Sequence, residues 1–231
     1  VSGASNLDEL HAYTQDAILR RTKKQCLDLP SKTRVLREVE LSPAAKQIYD
    51  LVFQQARREY TDRLNSGEIM SGAEAIVLLT HLRRAGSVAK SETAIQIAEE
   101  VLEEGHPIVL FVEFKDAAEL LAAHFNVTPL TGDTPAPRRH ELVTDFQQGK
   151  TNVFVGTIKA GGLGVTLTAA SDVVLVDRPW TPGDAIQAED RLHRISQHHP
   201  VTAIWLQHGD VDKKIDQVLL QKQTRINAVL E

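Results

Sequence analysis

Two patterns of apolar and polar positions divide this chain. Up to about residue 105 the apolar residues recur at helical spacing, with one alternating stretch, TRVLREVEL at residues 33–41, that predicts a strand. Ser42-Pro43 then supplies an N-cap and a first-turn proline, and the helix they open runs to Asn65-Ser66-Gly67. AEAIVLLTHLRRAG and SETAIQIAEEVLEEG each end in glycine, which takes a left-handed helix cap cheaply, so two separate helices are expected. From Pro107 the texture changes: the short apolar runs IVLFVEF, VTPLTG, NVFVGTI, DVVLVD and TAIWLQH alternate with amphipathic segments such as DAAELLAAHF, APRRHELVTDFQQG and GDAIQAEDRLHRI. Continuous Val/Ile/Leu strands between helices predict an α/β fold with a parallel sheet covered on both faces. Functional groups are then expected on loops at the carboxyl ends of the strands.

Composition narrows the class. Over the 231 residues, 42% hydrophobic and 25% charged content is that of a globular chain able to bury a core. No apolar run approaches the roughly 20 residues of a membrane span, so no membrane partner is expected. Cys26 is the single cysteine, which excludes an internal disulfide framework and a thiolate zinc site. An intracellular setting fits, either a bacterial or archaeal cytoplasm or a eukaryotic nucleus. The net charge of −5 speaks against a histone-like coat. Basic residues nevertheless cluster at Arg20, Arg21, Lys23, Lys24, Lys32, Arg34 and Arg37, and in the pairs Arg57/Arg58, Arg83/Arg84 and Arg138/Arg139.

Three segments invite chemistry. Gly149-Lys150-Thr151 suggests a phosphate loop, but Thr144 stands where that loop needs glycine, and the triplet leaves a helix to enter a strand. Gly149 is better read as a helix cap. In GTIKAGGLGVTL (156–167) closely spaced glycines let backbone amides approach a phosphate or a facing domain; a tight turn without a ligand is the alternative. In a helix expected over 183–195, Gln187, Arg191 and Arg194 fall on one stripe, beside an anchoring stripe of Ala188, Leu192 and Ile195. Paired guanidinium groups suit the charge that develops in phosphoryl transfer. A surface helix with Arg194 paired to Asp190 stays open on residues alone. His193, His198 and His199 lack the carboxylates or thiolates of a metal site, so no metal ligands are assigned.

WTPGDAIQAEDRLHRISQ (180–197) resembles the sixth helicase motif of Swi/Snf-type ATPases, and GTIKAGGLGVTLTAASDVVLVD and IVLFVEF resemble the fifth and fourth. LTGDTPAPRRHELVTDF resembles the family's G-x-T…R…F segment, and LRRTKKQCLDLPSKT its linker from the first lobe. Ser196, Thr166 and Thr181 depart from the usual Gly, Asn and Asn. The resemblance implies a RecA-like C-terminal lobe at residues 106–231, preceded by a linker from a missing first lobe (1–40) and a family-specific helical insertion with lead-in helices (41–105). It further implies that Arg191 and Arg194, with Gln187 beside them, are catalytic; that Gly162 and Gly164 line the ATP cleft; and that Thr157, Lys159, Trp180 and Gly132 meet DNA. ATP with Mg2+ would be held mainly by the first lobe. That N-terminal RecA-like lobe, double-stranded DNA and DNA-bound proteins are the implied partners, and the chain alone would be inactive. The alternatives are a lobe of another superfamily 2 RNA or DNA helicase, or a non-catalytic docking module.

Overall fold

The computed structural model describes residues 6–18, 21–67, 71–161 and 164–230. The short strands the pattern predicts form one five-stranded parallel sheet in the order β1-β5-β4-β2-β3. They are β1 (Lys32–Glu38), β2 (Ile108–Val112), β3 (Val153–Thr157), β4 (Asp172–Leu175) and β5 (Val201–Gln207). Helices α1 (Leu7–Thr14), α2 (Lys23–Cys26), α3 (Pro43–Asn65) and α4 (Gly72–Glu103) precede β2. After it come α5 (Lys115–His124), α6 (Ala136–Gln147), α7 (Ile158–Gly161), α8 (Pro182–Glu189) and α9 (Gly209–Leu230).

Every residue of β2 and β3 is buried, because alternate side chains enter two different cores. Val109, Phe111, Phe154, Val173 and Leu175 meet Phe146 of α6, Ala185 and Ala188 of α8 and Leu219 of α9. Ile108, Leu110, Val112, Val155 and Val174 meet Ala94 and Ile97 of α4 and Leu121 of α5. The α/β fold with both faces covered is therefore present.

Within the segment expected as a linker, β1 forms near the predicted strand and pairs along its length with β5 from Lys32↔Val201 to Glu38↔Gln207. Within the expected helical segment, the second half of α4 packs into the sheet core. The structure departs from the sequence pattern in two places. The two helices expected on either side of Gly86 are the single helix α4. Gly86 is buried there beneath the Tyr49 ring of α3, where a Cβ would make ordinary contact at 3.4 Å, so the glycine sits inside a continuous helix and marks no chain break. Finally, VTPLTG contributes only an isolated bridge, Leu130↔Gly156, and no strand. Gly149 behaves as read: it lies two residues beyond the end of α6 at φ 70°, between helix and strand.

Candidate nucleotide cleft and nucleic-acid face

The stripe of Gln187, Arg191 and Arg194 does not exist as a helix stripe. α8 ends at Glu189, and the next residues form tight turns, with the Arg191 and Leu192 amides bonding three residues back to Ala188 and Glu189. Tertiary contacts override helix propensity here. Leu192 is wholly buried, the Leu167 amide donates to the Arg191 carbonyl at 2.9 Å, and Gln197 Nε2 donates to the carbonyls of Ala170 (2.8 Å) and Leu192 (3.2 Å). Gln197 Oε1 accepts from the His198 and His199 amides. Ile195, expected as an anchor, is 76% exposed.

The three candidates still converge. Gln187, Arg191 and Arg194 line one cleft of about 570 Å³ with Lys23, Thr166, Asp190 and Ser196. Arg191 is buried, and that burial lowers its pKa from the ordinary arginine value; the nearby Arg194 pushes the same way and Asp190 opposes. Arg194 does not pair with the Asp190 carboxylate. Its Nε donates to the Asp190 carbonyl at 3.1 Å and its Nη1 to the Thr166 hydroxyl at 3.0 Å. Asp190 instead pairs with Lys23 at 2.8 Å and Lys32 at 3.0 Å. Thr166 also borders a neighbouring cavity of about 420 Å³ with exposed Gly164, so the glycine segment and the arginine turns adjoin. Gly162 lies outside the described residues.

The second group of candidates lies elsewhere. α8 runs back along the sheet, so the arginines end up near Lys32, the amino end of β1, and not at the carboxyl ends where functional groups were expected. Thr157, Lys159, Trp180 and Gly132 do occupy the carboxyl-end side, following β3, β4 and the Leu130 bridge. Thr157 is buried, while Lys159 has a side chain 77% exposed, 3.9 Å from Glu113. Gly132 is exposed, and Arg139 holds its turn by donating to the carbonyls of Gly132 (3.0 Å) and Thr134 (2.6 Å).

Trp180, 36% exposed, is backed by Arg83 of α4, whose guanidinium lies 4.1 Å from the ring centroid. Arg83 also donates to the Arg178 carbonyl. Of the basic pair Arg83/Arg84, Arg83 is buried and Arg84 exposed, and no local signal tells a buried arginine at mid-helix from an exposed one. Behind this face Lys90 is buried against Asp212 (2.7 Å) and Asp177 (3.6 Å). Asp177 accepts in addition from the Ser87 hydroxyl and from the Glu113 amide at 3.1 Å. Among the described residues no group of three His, Cys, Asp or Glu side chains is arranged to hold a metal.

Glu113 Oε2 is buried without a hydrogen-bond partner, and burial pushes the carboxyl above its ordinary range against the opposing charges of Lys159 and Arg83. The folded state thus holds this proton more tightly than the unfolded chain. Its stabilising share is complete below the unfolded carboxylate value and is lost as pH rises through the folded one. Glu113→Gln is expected to melt higher than the parent at about pH 8 and to lose that advantage towards about pH 4. Thermal melts across that range check it; a difference independent of pH would show that charge is not the cause.

Known proteins resemble the chain in the same regions. A family described as helicase conserved C-terminal domain matches residues 90–196. The mouse DNA annealing helicase and endonuclease ZRANB3 is 31% identical over 95% of this chain and 21% of its own length. A Caenorhabditis elegans SWI/SNF-related, matrix-associated, actin-dependent regulator of chromatin is 27% identical over 84% of this chain and 26% of its own. The chain thus spans about a fifth to a quarter of the length of these curated relatives. The Sulfolobus solfataricus SWI2/SNF2 ATPase core in complex with double-stranded DNA superposes with a TM-score of 0.67 at 26% identity, covering 94% of this chain and 50% of that one. The C-terminal part of the Fun30 ATPase domain shares the fold, with a TM-score of 0.65 at 18% identity over 87% of this chain and 98% of that one. Sheet, domain match and relatives together place the chain among the C-terminal, RecA-like helicase lobes of Swi/Snf-type ATPases.

Proposed function

We propose that this chain is the second motor lobe of an ATP-dependent double-stranded DNA translocase, supplying arginine fingers and strand contacts to a nucleotide held mainly by a first lobe. The carrying observation is that Gln187, Arg191 and Arg194 share one cleft although they sit on a helix end and two turns. Core-buried Leu192 and the Gln197 bonds set those turns before any partner arrives, and such preorganisation is what charge stabilisation in phosphoryl transfer rewards. The donor set fits a polyphosphate, and its magnesium is assigned to the first lobe by the family resemblance alone. Bound Mg·ATP supplies the phosphoryl group whose cleavage powers movement. Arg191 and Arg194 bind and neutralise charge from their side of the cleft, and Gln187 orients beside them. The double-stranded DNA in complex with the Sulfolobus solfataricus ATPase core supports DNA as a partner, and the resemblance assigns the strand contacts to Lys159, Gly132 and Trp180, which are exposed, and to Thr157, which is buried at the end of β3.

The test uses the isolated chain and then the two-lobed protein. Alone, the chain is expected to release no phosphate above buffer and to bind duplex DNA weakly, without sequence preference and with a steep salt dependence. DNA-stimulated turnover by the isolated chain that survives repurification, or a base-specific footprint, would overturn the proposal.

A further inference from the structure

The turns that carry Arg191 and Arg194 are fastened to a part of the chain far away in sequence. Lys23, on α2, donates to the Asp190 carboxylate at 2.8 Å and to the His193 carbonyl at 2.9 Å, so one ammonium bridges the residues on either side of Arg191 and Leu192. His193 Nε2 lies 2.8 Å from the Pro30 carbonyl. Lys32 reaches Glu189 and Asp190, both at 3.0 Å, and Arg34 reaches Glu189 at 2.8 Å. Glu189 is almost wholly buried and also accepts from the Trp205 indole at 2.8 Å, while Arg34 stacks on that ring at 3.8 Å. The segment from residue 23 to residue 34 therefore grips the end of α8 and the first arginine turn at several points.

Two features separate Lys23 from the other members of this grip. Lys32 and Arg34 act on Glu189 and Asp190, where α8 ends, whereas the Lys23 ammonium bonds on both sides of Arg191, to the Asp190 carboxylate and to the His193 carbonyl, beside the Pro30 carbonyl that meets the His193 ring. Lys23 further lines the same cleft as Gln187, Arg191 and Arg194. Its side chain is partly exposed, so its removal costs little packing.

We propose that Lys23 is a positioning residue for the arginine turn: its bridge between Asp190 and His193 fixes where Arg191 and Arg194 stand, and couples them to the chain segment that leads into β1. The inference rests on the reading of those arginines as phosphoryl-transfer groups. Misplacing them by a fraction of their reach weakens charge stabilisation in the transition state more than ground-state binding of ATP.

The experiment measures DNA-stimulated ATP turnover of the two-lobed protein carrying Lys23→Ala, Lys23→Gln, Lys23→Arg, Arg194→Ala, and Lys23→Ala with Arg194→Ala. Lys23→Ala and Lys23→Gln are expected to lower kcat about tenfold to a hundredfold with KM for ATP and duplex affinity unchanged, and Lys23→Arg to recover most of the loss. In the Arg194→Ala background the same Lys23→Ala change is expected to cost less than about threefold, because a group acting through the arginine has little left to act on. Unchanged kcat, an effect carried by KM, or losses that multiply independently would overturn the positioning role. Full turnover in Arg194→Ala alone would instead end the underlying reading of the cleft.

Discussion

Arg194→Ala lowers DNA-stimulated ATP turnover of the two-lobed protein by about a thousandfold or more, or about 4 kcal/mol of transition-state stabilisation. The fold should survive this substitution. Arg194 is no part of a helix, and among the described residues its side chain gives one bond to the Asp190 carbonyl and one to the Thr166 hydroxyl, both in the cleft. Leu192 and Gln197 hold the turn without it. Melting temperature and duplex affinity without nucleotide should therefore stay near the parent values. Arg194→Lys should rescue poorly, because a single ammonium cannot supply the planar fork of donors. Steady-state turnover and a thermal melt on both variants check this. Parent-like turnover in Arg194→Ala would remove the finger assignment and leave a surface bond worth a fraction of a kcal/mol.

The largest expected effect on stability is at Lys90. Its ammonium is buried against Asp212 and Asp177, and Asp177 is itself buried beneath the Ser87 hydroxyl and the Glu113 amide. Lys90→Met keeps most of the volume but removes the ammonium in contact with these carboxylates, leaving Arg83 and Arg178 as the nearby positive charges. Breaking a buried pair in this way costs about 3–5 kcal/mol, well above the cost of losing an exposed one. Urea denaturation of the folded chain should show that loss, with a fall in Tm of roughly 6–20 °C for a domain of this size. The network ties α4 to the ends of β2 and β4 and to the start of α9. A loss below about 1 kcal/mol would mean that solvent reaches these carboxylates.

Much of the architecture was legible in the residues. The uninterrupted Val/Ile/Leu runs of β2, β3 and β4 announced a sheet buried on both faces, because only such a sheet has no polar side to mark. Gly149 declared its cap by position, following a helix and preceding a strand, and refusing the phosphate loop on that ground needed no coordinates. Gly86 carried the same residue type with the opposite meaning. It lies mid-helix beneath the Tyr49 ring of another helix, a contact that the local sequence of α4 does not contain.

The site divides along the same line. The sequence by itself determined which residues are available: two arginines and a glutamine near one helix, a glycine segment, an exposed lysine, and a tryptophan after a buried strand. It determined five of the strands and their parallel, two-sided burial as well, since hydrophobic spacing is a local property, whereas the strand order and the loss of VTPLTG to an isolated bridge belong to the tertiary structure. Only the tertiary structure decided how those groups are held. A periodic pattern predicted a helix to residue 195, but burying Leu192, satisfying the carbonyls of Ala170 and Leu192 through Gln197, and pairing Glu189 and Asp190 with Lys32 and Lys23 end it at 189. These partners lie between five and more than 160 residues apart in the chain. Helix propensity amounts to tenths of a kcal/mol per residue, whereas each buried side chain and charged bond contributes on the order of one or more, so the distant contacts prevail.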